Sequence, residues 1–221
     1  MNTPLKIDIV SDVSCPWCII GYQSLSKALS RLTPPIHVDL TWKPFELNPN
    51  MPPEGQSLVE HLHEKYGSTP ADLAETTKMI TDRGKALGFT FNFSEHGRIY
   101  NTFNAHRLLL WSRDLNKQTG LKLALFNLYF TQGGNPNNVD DLLGAVAKAG
   151  LPVADARTIL DSERFKKEVR EEEAKYLAMG VSSVPTFIIN DKYKITGGQP
   201  VDTFVDTLKK IIKEETLSQV T

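Results

Sequence analysis

Ser14-Cys15-Pro16-Trp17-Cys18 contains both cysteines of the 221-residue chain and sets them three positions apart. It follows Leu5-Lys6-Ile7-Asp8-Ile9-Val10, which alternates at first and then turns apolar as a strand entering a sheet would, and precedes Ile19, Tyr22, Leu25, Leu29 and Leu32 at helical spacing. The stretch therefore marks a turn from strand to helix. Ser11-Asp12-Val13-Ser14 supplies capping residue types, and Pro16 suits a first helical turn. On a helix, residues i and i+3 share a face about 5–6 Å apart, a separation a disulfide can span. Cys-x-x-Cys in this position predicts a pair that opens and closes reversibly.

Working outward, the helix should run from Cys15 to Arg31 and stop at Thr33-Pro34-Pro35. A second strand, His37 to Trp42, alternates with period two and ends at Pro44-Phe45. The proline-dense Asn48-Pro49-Asn50-Met51-Pro52-Pro53-Glu54-Gly55 reads as a boundary. Helices are then expected over Leu58–Tyr66, Pro70–Leu87 (capped by Thr69), Arg98–Leu115, Leu121–Phe130 and Val139–Ala149 (capped by Asn138). The charged run Lys166 to Glu173 reads as the solvated face of a helix from Ser162 to Met179, with Phe165, Val169, Tyr176 and Leu177 facing inward. Pro185 to Asn190 and Tyr193 to Thr196 form a hairpin about Asn190-Asp191, and a last helix spans Val201–Glu215. The fold class is α/β, with a thiol-bearing β-α-β unit and a β-β-α unit at the two ends of a long helical tract.

Composition narrows the function. A net charge of −1 argues against a nucleic-acid or membrane-surface binder, and 40% apolar residues suffice for a large core. Met1 to Val10 lacks a basic, apolar leader, and no segment reaches the length of a membrane span, so the cytoplasm is the expected compartment. In a reducing compartment a lone cysteine pair is more often catalytic, redox-sensing or metal-binding than structural. A zinc site needs about four ligands, and the pair offers two. His61 and His63 are the nearest grouped candidates, but i and i+2 diverge on a helix, so no metal is expected.

With these motifs in place the chain resembles the DsbA-like thioredoxin-fold family, and within it the FrnE type, in which a helical domain interrupts a thioredoxin fold. The resemblance rests on Ser11 to Cys18 with Gly21, Phe45-Glu46-Leu47-Asn48-Pro49, Asn101 to Arg107, Gly180 to Phe187, and Ile195 to Pro200. It implies a discontinuous thioredoxin-like domain of residues 1–50 and 162–221 and a helical insertion of residues 51–161. It also implies a cis Val184–Pro185 bond facing the cysteines, which would leave the Val184 backbone free to pair with substrate. The chain departs from the family between Leu125 and Gly134, where Gln132 replaces a usual acid.

The expected chemistry is thiol–disulfide exchange. Cys15 at the helix N-terminus is the nucleophile, because amide donors and the dipole favour a thiolate there, and Cys18 one turn on is the resolving thiol. Trp17, Val184, Pro185 and His106 are the candidate substrate-binding residues. Trp17 either shields the sulfur and meets substrate or simply packs. His106 and Arg107 either line the cleft or are a bonded helix histidine and a surface arginine. Asp12 either accepts a proton or caps the turn; Glu46 is either a buried acid near Cys18 or an exposed strand end. Thiol or disulfide substrates are the partners, with no cofactor beyond the cysteine pair and glutathione as a conceivable co-substrate. Oligomeric state is not legible. Two further readings stand beside this one. A glutathione-dependent isomerase or transferase would resemble 2-hydroxychromene-2-carboxylate isomerase and kappa-class glutathione transferases, which typically place Ser at the first cysteine and lack the second. A non-enzymatic redox sensor or polypeptide-binding module would use the helical insert as a groove.

Overall fold

The computed structural model describes residues 4–93 and 97–218. β1 (Leu5–Ser11) leads into α1 (Pro16–Ser30) and back through β2 (Val38–Pro44), parallel to β1 with Leu5 opposite Val38. A two-residue strand β3 (Gln56–Ser57), α2 (Leu58–Tyr66) and α3 (Pro70–Leu87) come next, and β4 (Arg98–Ile99) pairs back onto β3. α4 (Phe103–Arg113), α5 (Gln118–Phe126), a π-helical turn at Asn127–Thr131, α6 (Val139–Lys148) and α7 (Val153–Leu160) form the rest of the insertion. α8 (Lys166–Ala178), the hairpin β5 (Thr186–Ile189) and β6 (Tyr193–Thr196), and α9 (Val201–Ser218) complete the chain. The sheet runs β2-β1-β5-β6, with β5 antiparallel to β1 and β6 antiparallel to β5. The protein is thus an α/β fold with a helical insertion.

β1 is central and covered on both faces, which is why its alternation gives way to the consecutive apolar pair Ile9-Val10 and why even Asp8 is buried. Ile7 and Ile9 join Cys18, Ile19, Leu25, Phe204 and Leu208 in one core with α1 and α9. Val10 and Ile188 meet Tyr176 and Val181 in a second core on the α8 side. Asp8 points to that side, where the Tyr176 hydroxyl donates to its Oδ2 at 3.0 Å and Lys43 Nζ lies 3.7 Å from Oδ1. A paired carboxylate is tolerated in such a core; an unpaired one would be costly. α4 to α7 close around their own apolar centre, including Leu108, Leu121, Leu125, Leu142 and Ile159.

Several elements differ from the sequence expectation. The helix expected from Arg98 begins only at Phe103, because Arg98–Ile99 pairs with β3 and the Asn101 side chain accepts the Phe103 amide at 2.9 Å. The helix expected to reach Phe130 turns π-helical at Asn127, and α7 carries no strong start signal in the sequence. α8 starts at Lys166 because Phe165 takes a left-handed conformation (φ 64°). Leu177, expected to face inward, is 56% exposed, whereas Glu173 of the charged run is buried. Val169 and Tyr176 already fill the inner face, and Arg170 compensates Glu173 at 2.7 Å.

Candidate active site

The thiols occupy the first turn of α1. Cys15 is its N-cap residue, with extended backbone (φ −93°, ψ 112°), and its carbonyl accepts the Cys18 amide at 3.1 Å. Cys15 is 4% exposed and Cys18 fully buried, and both are reduced thiols. The Val184–Pro185 peptide is cis, and its loop brings the Val184 carbonyl to 3.5 Å from Cys15 Sγ, where it accepts the thiol. Gly21 permits this approach: a Cβ there would stand 3.0 Å from the Phe187 ring and 3.1 Å from Pro185. Burial pushes the Cys18 thiol well up, assisted by its hydrogen bond with Cys15 and the charge there; Lys122 opposes the shift.

Lys122 of α5 was not singled out from the sequence. It is fully buried, its Nζ finds no hydrogen-bond partner among the described residues, and it lies 5.3 Å from the Trp42 ring centre and 4.9 Å from that of Phe126. Such aromatic faces stabilise an ammonium that has lost its water. Burial lowers the Lys122 ammonium to about 8, against the attraction of Cys18, Asp12 and Cys15, which hold it up. The signal that could have revealed it is a lone cation inside Leu121 to Phe126, otherwise wholly apolar. Asp12 is the matching anion. Its Oδ1 accepts the Ser14 amide at 3.3 Å and its Oδ2 the Leu47 amide at 2.8 Å, so it caps the turn and ties it to the chain beyond β2. Burial alone would raise this carboxyl; the His106 ring, the Leu47 amide and Lys122 outweigh it and hold Asp12 at about 2.

The other expected residues divide. Trp17 lines the cleft described next, with the Arg83 guanidinium 5.3 Å from its ring centre, and Val184 lines it as well. Pro185 packs against α1 rather than lining the cleft. His106 is buried, its Nε2 3.5 Å from Asp12 Oδ1 without hydrogen-bond geometry; the fold does not bring it to the cleft wall. Arg107 is neither a surface residue nor a cleft residue. It is 1% exposed and donates to the carbonyls of Ile159, Ser162 and Arg164, fastening the end of α7. Glu46 is buried and pairs with Arg170 of α8; burial raises its carboxyl, with Arg170 opposing. Gln132 accepts from Lys148 Nζ at 2.9 Å. Among the described residues no three His, Cys, Asp or Glu are placed to hold a metal ion, and no helix is long and apolar enough to cross a membrane.

Cys15 opens onto a cavity of about 550 Å³ walled by both parts of the fold. Cys15, Trp17 and Val184 border one end; Leu62 of α2, Ile80 of α3 and Phe130 of the π-helical turn form the apolar walls. The arrangement offers one sulfur at the mouth of a cleft, a second sulfur sealed behind it, and a buried cation whose charge both sulfurs feel.

Residues 6–209 match the DSBA-like thioredoxin domain. The chain belongs to that family of redox proteins. It is 25% identical over 213 residues, 96% of this chain and 97% of the relative, to the uncharacterized protein YwbO of Bacillus subtilis. In three dimensions it is similar to a probable DsbA oxidoreductase of Streptomyces coelicolor, with a TM-score of 0.88, 25% identity and coverage of 95% of this chain and 91% of that one. It also shares its fold with the cytosolic disulfide reductase DsbM of Pseudomonas aeruginosa, solved with GSH, at a TM-score of 0.64, 16% identity and coverage of 94% and 99%.

Proposed function

We propose that the protein is a thiol–disulfide oxidoreductase working through Cys15 and Cys18. The observation that carries this reading is the asymmetry of the pair: one sulfur borders a cleft at a helix N-terminus, and the other is sealed behind it. In the reducing direction the Cys15 thiolate attacks a substrate disulfide, forming a mixed disulfide and expelling one substrate thiolate. The Cys18 thiolate then attacks Cys15 Sγ and releases the second, so that two electrons pass to substrate and the pair becomes a disulfide. In the oxidising direction a substrate thiolate attacks Cys15 Sγ and Cys18 leaves as a thiolate. A second substrate thiol then resolves the mixed disulfide.

Five residues assist. Lys122 supplies positive charge to the Cys18 thiolate as it forms where water cannot reach it. Asp12, ionised and strapped to Leu47, holds the turn and the lysine's charge in place; His106 positions Asp12 rather than touching substrate. The Val184 backbone and Trp17 border the position of an incoming sulfur compound and bind it there. DsbM is described as cytosolic and was solved with GSH; by analogy this protein works in the cytosol and glutathione is its exchange partner. The second cysteine separates this reading from a glutathione-dependent isomerase, whose chemistry needs no resolving thiol.

Cys15→Ser is expected to abolish reduction of insulin or of a small disulfide, and Cys18→Ala to accumulate mixed disulfides detectable by mass spectrometry. Full activity in Cys15→Ser would end the proposal.

A further inference from the structure

The cavity beside Cys15 points to the kind of substrate. It is bounded by seven parts of the chain: the cysteine turn, Leu47-Asn48 after β2, α2, α3, the described residues flanking and forming β4, the π-helical turn with its following glycines, and the Ser182-Ser183-Val184 loop. At about 550 Å³ it lies within the roughly 300–1,000 Å³ of sites that enclose one small molecule. Its lining is mainly apolar and aromatic, with Leu58, Leu62, Ile80, Phe93, Tyr129 and Phe130 in its walls. α2 has no buried residue at all, although it is a regular helix with a well-formed left-handed Gly67 end. Its Leu58 and Leu62 side chains, only partly buried, line the cleft. An apolar helix face left partly exposed gains stability when a ligand covers it.

The charge of the lining is also one-sided. Lys65 Nζ donates to the Leu47 carbonyl at 3.0 Å and to Asn48 Oδ1 at 2.8 Å, both uncharged. The Arg98 guanidinium donates to the carbonyls of Glu54 and Gly55 at 3.1 and 3.0 Å. Asp72, which also lines the cleft, is already engaged by the Thr69 amide at 2.8 Å and hydroxyl at 2.7 Å in the cap of α3. Among the described residues the lining thus presents two cations, Lys65 and Arg98, held by neutral oxygens, and an aspartate, Asp72, committed to the cap of α3.

We infer that the cleft binds a low-molecular-weight disulfide, or the thiol it yields, with a flat apolar body and an anionic group, rather than a polypeptide. This rests on the exchange reading above and specifies its substrate. One such disulfide is reduced to two thiols as the cysteine pair becomes a disulfide; the reverse reaction oxidises two such thiols.

The test has two arms. In the first, 2-naphthoate and its cationic isostere 2-naphthylmethylammonium are titrated against Cys15→Ser/Cys18→Ser protein, followed by calorimetry and by hydrogen exchange of α2. Naphthoate is expected to bind at least about tenfold more tightly and to protect α2. Lys65→Glu should erase the ratio, and Thr76→Trp, which fills the cleft from an exposed position, should abolish binding. In the second arm the reduced protein is mixed with 5,5′-dithiobis(2-nitrobenzoate), cystamine or denatured insulin with its disulfides intact, each rate normalised to that with dithiothreitol. Saturable kinetics and a preference of about tenfold or more for the aromatic dicarboxylate are expected. Equal normalised rates, or displacement of naphthoate by unfolded polypeptide, would overturn the inference while leaving exchange chemistry intact. Naphthoate binding with no reaction toward any disulfide would leave the cleft assignment standing and remove the exchange reading.

Discussion

Lys122 is the residue whose removal says most about the site. An ammonium lowered to about 8 by burial is bound less tightly by the native state than by the unfolded chain, where lysine titrates at 10.5. Between those values the unfolded chain holds a proton the native state has released, so stability from this residue rises with pH across the window. It is complete above 10.5 and lost as pH falls through 8. The swing is on the order of 3 kcal/mol. Lys122→Met keeps the volume and removes the charge. Its unfolding free energy is expected to equal or exceed that of the wild type at pH 7, and the gap should shift in favour of the wild type by up to about 3 kcal/mol toward pH 10.5. Denaturant titrations at a series of pH values measure it. Exchange should slow about tenfold at pH 7, because the cation facing the Cys18 thiolate is gone. An unchanged rate would mean the lysine does nothing for the thiols.

At the scale of elements, one glutamine ties the insertion to the edge of the sheet. β2 is an edge strand, and the Gln118 side chain at the start of α5 acts as a missing neighbour: its Oε1 accepts the Trp42 amide and its Nε2 donates to the Trp42 carbonyl, each at 2.9 Å. The Trp42 indole donates to Thr119 Oγ1 at 3.0 Å, completing the clamp. One helical turn further on, the same helix delivers Lys122 to the redox centre. Gln118→Leu leaves two buried backbone groups unpaired and is expected to cost about 2–4 kcal/mol, read from urea unfolding. Because the helix then moves, the rate of exchange should fall with stability; a stable variant with wild-type exchange would show that the clamp is dispensable. Similar logic explains α8. Its charged sequence suggests a purely solvated face, but Arg170 reaches both Glu46 and Glu173, and that pairing requires the chain after β2 to lie beside it.

For the whole molecule, packing is uneven in a way that suits a binding protein. β1 is enclosed by two cores, while α2 borders a cavity and has no fully buried residue. Amide exchange is therefore expected to be slowest along β1 and fastest, among helices, in α2, as local opening follows local burial. Equal protection of α2 and β1 in hydrogen-exchange mass spectrometry would contradict this picture. The sequence alone determined the spacing of the cysteine pair, the strand-to-helix turn that presents it, the order of the sheet-forming segments and the family, because these depend on local spacing, periodicity and short motifs. It also carried the cap at Thr69 and the turn at Asn190-Asp191, where single side chains decide the backbone. Only the tertiary structure decided that Leu177 points outward, that Arg107 fastens α7, that Asp12, His106 and Lys122 come together near the thiols, and that α2 borders a cavity. Each of these depends on residues far apart in the chain. A lysine in an apolar helix and a helix without a core have no local signature until the fold supplies, or withholds, their neighbours.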